Sequence, residues 1–257
     1  TTRAAPALLP LAQQQSTHKA TGSNAFPSGK VLLIQPRRIA ARAAAARIAA
    51  EMQVTVGGLV GYQVRFDVRT SRDSQLIAMT PGILLRKLQA NAVLEDVAAV
   101  VLDEFHERSL EMDLLLGMLR RIQTELRPEL RLVLMSATLE RDSITRYLKQ
   151  PPIISVSAET FPVRHVYSRF QSTATRGRTP AHPRTRIVLQ TEEAIRQAAR
   201  ELEGDILVFL PGVGEIKSVE TLLVHDAVKE NWKLLPLYGD MSPDDQDAVL
   251  VPSRWRK

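Results

Sequence analysis

Two adjacent acidic residues, Asp103 and Glu104, are the strongest candidates for chemistry in this sequence. They follow the apolar run 97–102, whose length and branching are typical of a buried parallel strand. Carboxylates cannot stay uncompensated in a core, so the pair must lie where the strand leaves the sheet. Two carboxylates at that edge suit Mg²⁺ that carries phosphates. The alternative is an ordinary strand end and helix cap, with Glu107 and Arg108 on a solvated face.

Three other turns place polar residues directly after a short apolar strand. They are Gln35-Pro36-Arg37-Arg38 after 31–34, Thr80-Pro81-Gly82 after 76–79, and Ser136-Ala137-Thr138 after 132–135. Because the carboxyl ends of parallel strands meet at one edge of a sheet, we expect the four turns to converge on one site. Arginines at a strand-to-helix turn favour phosphate, although a solvated helix start or a Ser/Thr helix cap explains each turn taken alone.

These turns require a sheet with helices between its strands. Alternating strands and helices between residues 31 and 156 predict an α/β fold with a mostly parallel sheet. The predicted helices of this half are 1–11, 39–52, 83–89 and 110–126, and its further strands are 60–66 and 153–156. Leu114, Leu115, Met118, Leu119 and Ile122 form the predicted core stripe of the last helix.

The character of the sequence changes near residues 157–162, where we place a domain boundary. Residues 172–186 are predicted to form a basic loop. The second half then has predicted strands at 206–210 and 234–237, a helix at 192–202, and a helix capped by Ser242.

Composition restricts the classes of function that remain. The chain has 257 residues, a net charge of +6 and no cysteine, which excludes disulfides and thiolate chemistry and favours anionic partners such as nucleic acid. No apolar run approaches a membrane span and no signal peptide is visible. We expect a cytoplasmic protein that does not bind membranes.

In this order, the four turns and the stretch 206–215 resemble the DEAH-box helicases of superfamily two, most closely the bacterial HrpB-type group. The Asp103–Ser109 stretch (DEFHERS) carries much of the likeness, and Tyr238-Gly239 and Ser242-Pro243 add to it. The resemblance implies two RecA-like parallel-sheet domains of the P-loop NTPase fold, both truncated: residues 1–158, and part of a second domain at 159–257. It also implies an ATP-dependent helicase that acts on RNA in preference to DNA, as a monomer.

The resemblance also implies roles for individual residues. Asp103 would bind Mg²⁺, Glu104 would orient or deprotonate the attacking water, and His106 would link the nucleotide site to the second domain. Ser136 and Thr138 would couple the nucleotide state to nucleic-acid contact. The residues implied to contact a nucleic-acid strand are Arg37, Arg38, Thr80, Gly82, Pro211, Gly212 and Gly239.

The sequence departs from the family pattern at both ends. The family's phosphate loop, G-x-G-K-T, is represented by its last position alone, so Thr1 would be the Mg²⁺-binding hydroxyl, with Thr2 beside it in the ATP site. The arginine-finger stretch is not present. We therefore expect this chain to be a nearly inactive fragment of an ATP-hydrolysing helicase. The alternative is a non-catalytic nucleic-acid-binding module or pseudo-helicase.

Overall fold

The computed structural model describes residues 3–13, 27–137, 141–156, 161–167, 183–251 and 253–257. The chain consists of two compact units, Thr1–Ser155 and Val156–Lys257. Each unit is described separately below.

The first unit is built on a six-stranded sheet in the order β3-β2-β4-β1-β5-β6. Its strands are β1 (Lys30–Ile34), β2 (Val60–Val64), β3 (Asp67–Arg69), β4 (Leu76–Met79), β5 (Val97–Leu102) and β6 (Arg131–Leu134). All neighbouring pairs are parallel except β2 and β3, which form an antiparallel hairpin. The predicted α/β architecture with a mostly parallel sheet is therefore confirmed.

Helices α1–α6 belong to this unit: α1 (Ala4–Ala7), α2 (Leu9–Gln13), α3 (Arg38–Glu51), α4 (Pro81–Ala90), α5 (Leu110–Glu125) and α6 (Arg141–Tyr147). Strand β1 shows how they cover the sheet. Val31 and Leu33 pack into the core cluster that contains the buried face of α3, whereas Leu32 and Ile34 pack into the cluster that contains α4 and α5. The sheet is thus buried on both faces, as its continuous apolar strands require.

Several predictions about this unit are wrong in detail. The predicted helix 1–11 is two short helices, since Pro6 and Pro10 cannot donate the bonds that one continuous helix needs. The predicted strand 60–66 ends at Val64, and the chain then turns into β3. Strand β3 pairs antiparallel with β2, so that Arg69 of β3 lies opposite Tyr62 of β2. In α5 the apolar stripe is displaced, because the sheet fixes which face is covered: Leu114 and Met118 are exposed, at 50% and 37%.

Among its described residues, the second unit contains three helices, α7 (Pro183–Glu201), α8 (Val213–Glu230) and α9 (Pro243–Leu250). Helix α7 begins inside the stretch predicted as a basic loop, so residues 183–186 are helical; residues 172–182 of that stretch lie outside the described residues. Ser242 caps α9 by accepting a hydrogen bond from the amide of Asp245, which confirms the predicted start of this helix.

The predicted strands 206–210 and 234–237 are wrong for the structure as described, and so is 153–156: these segments are extended backbone without a ladder. Backbone bonds join Ile206 N to the Lys257 carbonyl at 2.9 Å and Lys233 N to the Arg256 carbonyl at 2.7 Å. Isolated bonds do not build a ladder, and Phe209 stays 88% exposed. The apolar pattern alone therefore did not guarantee a paired strand.

Candidate active site

Backbone hydrogen bonds bring the four predicted turns together at the carboxyl ends of β4, β1, β5 and β6. Gln35 N donates to the Met79 carbonyl at 2.9 Å, and Asp103 N donates to the Ile34 carbonyl at 3.0 Å. Met135 N donates to the Leu102 carbonyl at 2.8 Å. Each bond extends the parallel pairing by one residue beyond the strand end, so the residues that follow are fixed relative to one another.

Asp103 is the buried centre of this edge, with 2% of its surface exposed. Its Oδ2 accepts a hydrogen bond from Gln35 Nε2 at 2.6 Å, and its Oδ1 accepts one from the amide of Glu104 at 2.8 Å. Two donors hold the carboxylate in one orientation and leave lone pairs on both oxygens. Gln35 was predicted to lie in one of the four turns, but no role was predicted for it. Its position directly after β1 is the sequence feature that could have indicated one.

Glu104 has left-handed backbone, with φ 50° and ψ 37°. A non-glycine residue costs about 1–3 kcal/mol there and persists only where its surroundings enforce it. Phe105 does so, because its side chain is 1% exposed in the core and its amide donates to the Met135 carbonyl at 3.0 Å. The turn directs Glu104 away from the core, and the carboxylate reaches Nδ1 of His106 at 3.4 Å.

Arg37, predicted to contact nucleic acid, is paired with an acidic residue of the same loop that carries Glu104. Its Nε lies 3.2 Å from Oε2 of Glu107, while its side chain remains 73% exposed. Arg38 is exposed at the start of α3. The two charges are separated by 70 positions in the sequence, so no sequence pattern could have shown this contact.

Thr80 and Gly82 lie at the start of α4, close to the start of α5. Thr80 is the N-cap residue of α4 with extended backbone, and its side chain makes no capping bond. A Cβ added to Gly82 would lie 3.8 Å from the Glu111 carboxylate, so this acidic group lies over the glycine. Glu111 was not predicted as part of this surface.

Ser136 follows β6 and is half-buried at the same edge. The other three predicted residues of this region, Thr1, Thr2 and Thr138, lie outside the described residues.

The predicted residues of the second unit lie in two turns. Gly212 is the N-cap residue of α8, and a Cβ there would come within 3.2 Å of Oε2 of Glu215, which also pairs with Arg184 at 3.4 Å. Pro211 is exposed in the same turn. Gly239 is exposed, and its carbonyl accepts from the buried Gln246 amide at 3.4 Å, which holds the turn against α9.

The donor set of the first unit fits Mg²⁺ better than a metal that needs a full protein cage. Among the residues that the structure describes, no group of three or more His, Cys, Asp or Glu side chains could enclose a metal. Mg²⁺ needs no such cage, since it keeps several waters and is bound through one or two carboxylates plus substrate phosphates. Asp103 and Glu104 supply hard oxygen donors of this kind.

Comparison with known proteins gives a consistent result. The profile of the DEAD/DEAH box helicase family matches residues 4–146, which include all four turns. The chain is 37% identical over 228 residues to the ATP-dependent RNA helicase HrpB of Escherichia coli (strain K12), covering 88% of this chain and 26% of that protein. It is also 37% identical over 220 residues to an ATP-dependent RNA helicase HrpA homologue of Haemophilus influenzae, covering 85% of this chain and 16% of that protein.

A solved structure of the Escherichia coli DEAH/RHA helicase HrpB superposes with a TM-score of 0.73 at 36% identity, covering 89% of this chain and 28% of that one. The chain therefore spans about a quarter or less of the length of these relatives. None of the helices in the described part of the chain is long and apolar enough to cross a membrane.

Proposed function

Because the chain belongs to the DEAD/DEAH box helicase family, we propose that it contributes to an ATP-dependent helicase that acts on RNA in preference to DNA. The α/β fold is that of the RecA-like helicase domains of this family. The observation that carries the proposal is the buried Asp103 carboxylate, held by two donors beside Glu104 at the carboxyl edge of the sheet. RNA is the substrate named for the relatives with the greatest similarity reported above.

In this proposal Asp103 binds Mg²⁺, directly or through water, together with the phosphates of ATP. Bound there, the ion would neutralise charge on the transferring phosphoryl group. The bonds from Gln35 and from the Glu104 amide keep the carboxylate oriented, so little conformational entropy is lost when the metal binds. Thr1 would be a second Mg²⁺ ligand and Thr2 would lie in the ATP site.

Glu104 is proposed to orient the attacking water and to accept its proton. Its left-handed backbone directs it away from the core, towards the side on which the attacking water would lie. His106, 3.4 Å from that carboxylate, is proposed to carry the state of Glu104 to the second domain. Ser136 and Thr138 are proposed to couple the nucleotide state to the contact with nucleic acid.

The proposed nucleic-acid contacts of the first unit are those of Arg37, Arg38, Thr80 and Gly82. They are contacts with phosphate and sugar, which give affinity without sequence specificity. In this proposal Arg37 exchanges the Glu107 carboxylate for a phosphate when it binds. This exchange links strand binding to the loop that carries Glu104.

In the second unit, Pro211, Gly212 and Gly239 are proposed to add contacts with the same strand. We further propose that residues 1–158 and 159–257 belong to two RecA-like domains, that the protein acts as a monomer, and that it is cytoplasmic and does not bind membranes.

The proposal is tested by ATP hydrolysis with and without single-stranded RNA. The sequence contains neither a G-x-G-K-T stretch nor the arginine-finger stretch, so the assay uses this chain extended at both ends to supply them. We expect RNA to stimulate turnover and Glu104→Gln to lower it by about 100-fold or more. The matched control is Glu125→Gln, the same change on an exposed residue at the far end of α5.

Equal turnover in the Glu104→Gln variant and the parent would refute the proposed role of Glu104. If RNA binds while ATP is neither bound nor hydrolysed, the chain is a non-catalytic nucleic-acid-binding module.

A further inference from the structure

The second unit contains a cleft of about 660 Å³ that none of the roles above involves. Its lining combines five basic side chains with two tryptophans and two acidic residues. The lining residues are Arg196, Ala199, Arg200, Asp226, Lys229, Glu230, Asn231, Trp232, Arg254, Trp255 and Arg256. A volume of this size is typical of small-molecule sites.

The cleft lies far from Gly212, one of the residues of this unit that are proposed to contact nucleic acid. Gly212 precedes the first residue of α8, whereas the cleft is lined by the last residues of that helix. An α-helix of 18 residues is about 27 Å long. Neither Gly212 nor Gly239 lines the cleft, so a ligand bound here is separate from that surface.

The electrostatics of the cleft favour an anion. The acidic groups are already paired within the lining: Asp226 lies 2.8 Å from Arg196, and Glu230 lies 3.3 Å from Lys229. Three arginines remain without a carboxylate partner in the lining, namely Arg200, Arg254 and Arg256. Clustered guanidinium groups are well suited to phosphate, which accepts their planar pairs of N–H groups.

Arg256 is anchored to helix α7. Its Nη1 donates to the Ala199 carbonyl at 2.9 Å, but its Nε and Nη2 are buried and have no hydrogen-bond partner in the described part of the chain. Buried donors without acceptors cost free energy. Arg256 therefore contributes its positive charge to the lining, while both of these nitrogens stay buried beneath it.

The tryptophans add a second kind of recognition. Trp255 is 59% exposed although it lines a cleft, so a large aromatic face is open to a ligand, and Trp232 in the same lining is half-buried. Aromatic faces next to arginines bind nucleobases by stacking while the arginines bind the phosphate. We propose that this cleft binds a nucleotide, either free or within a single strand, through its base and its phosphate.

The sequence provides a selective probe, because Trp232 and Trp255 are the only two tryptophans of the chain. Tryptophan emission therefore reports on this cleft, whatever binds in the first unit. The titrants are AMP, adenosine, inorganic phosphate and a single-stranded adenylate oligonucleotide, with excitation at the red edge of the tryptophan band to avoid absorption by the base. We expect saturable quenching by AMP, and weaker binding of adenosine and of phosphate alone.

Two variants separate stacking from charge. Trp255→Ala should weaken AMP binding by about ten-fold or more while Trp232 still reports. Arg254→Gln should weaken AMP and phosphate but leave adenosine unchanged. Both residues are exposed, so both variants should fold, and circular dichroism checks this. Arg186→Gln is the matched control, since it removes the same charge from an exposed position near the opposite end of α7.

The oligonucleotide distinguishes the two sources of the nucleotide. Binding tighter than that of AMP supports a strand that passes through the cleft, and equal binding supports a mononucleotide site. The proposal is overturned if no titrant changes the emission, if AMP binds no more tightly than phosphate, or if the control variant loses as much affinity as Arg254→Gln.

Discussion

Replacement of Phe105 by alanine tests whether the core fixes the candidate active site. Its ring is 1% exposed in the cluster that contains α4 and α5, whereas Phe66 is 89% exposed. Each ring carries an arginine: Arg108 Cζ lies 5.4 Å from the centroid of Phe105, and Arg65 Cζ lies 4.7 Å from that of Phe66. The two phenylalanines therefore differ mainly in burial.

Phe105→Ala should lower the free energy of unfolding of the first unit by about 3–5 kcal/mol, the usual cost of truncating a buried aromatic residue. Phe66→Ala loses a comparable cation–π contact at an exposed site and should cost about 1 kcal/mol or less. Because a domain is stable by only about 5–15 kcal/mol, Phe105→Leu is the fallback, with an expected cost below about 1.5 kcal/mol.

The assay is urea unfolding followed by two signals. Circular dichroism reports the helices of both units, while tryptophan emission reports the second unit, because both tryptophans lie there. Phe105→Ala should shift the dichroism transition and leave the emission midpoint in place. Equal costs for Phe105→Ala and Phe66→Ala would refute the argument that burial of this ring holds the left-handed turn at Glu104.

Three further predictions follow from individual contacts. Glu107→Gln should tighten binding of single-stranded RNA several-fold at low salt, because Arg37 loses its competing carboxylate; anisotropy titrations should show the gain shrinking as salt rises, and unchanged affinity would contradict the exchange. Gly61→Ala should destabilise the first unit by about 1–3 kcal/mol in urea, since its Cβ would overlap the carbonyl oxygen of a facing strand residue, whereas Gly214→Ala, with open space around it, should not; equal effects would count against this. The hydrogen bond from a neighbouring arginine lowers the pKa of Glu129, so this bond stabilises the fold above the ordinary carboxyl pKa and the stabilisation is lost as pH falls. The difference in unfolding free energy between the parent and Glu129→Gln should therefore shrink in acid. A difference that grows in acid would refute this assignment.

The sheet of the first unit was predictable because its strands are specified locally. The run 97–102 is apolar at every position, as a strand covered on both faces must be, and β5 has these bounds in the structure. Convergence of the four turns then followed from parallel topology alone. The same reasoning failed in the second unit, because the run 206–210 has the same apolar pattern as 97–102 but makes no ladder in the described structure. Strand pairing depends on a neighbour, which composition does not encode.

The contacts across the candidate site could not be predicted from the sequence either, because they too depend on how the strands pair. Gln35 and Asp103 are 68 positions apart, and Arg37 and Glu107 are 70 apart. Their meeting depends on the register between β1 and β5, in which Ile34 lies opposite Leu102. The sequence indicates that polar groups gather at the edge, but the partner of each one emerges only when the register is set.

That register has a consequence for misfolded molecules. Alternate residues of β1 enter opposite core clusters, so a slip by one residue would exchange the side chains that face α3 with those that face α4 and α5. The same slip would move Gln35 about 3.3 Å along the strand direction and to the opposite face, away from Asp103. A chain that pairs β1 in the wrong register therefore loses the Gln35–Asp103 hydrogen bond together with its core packing, so correct alignment of this strand is a condition for both.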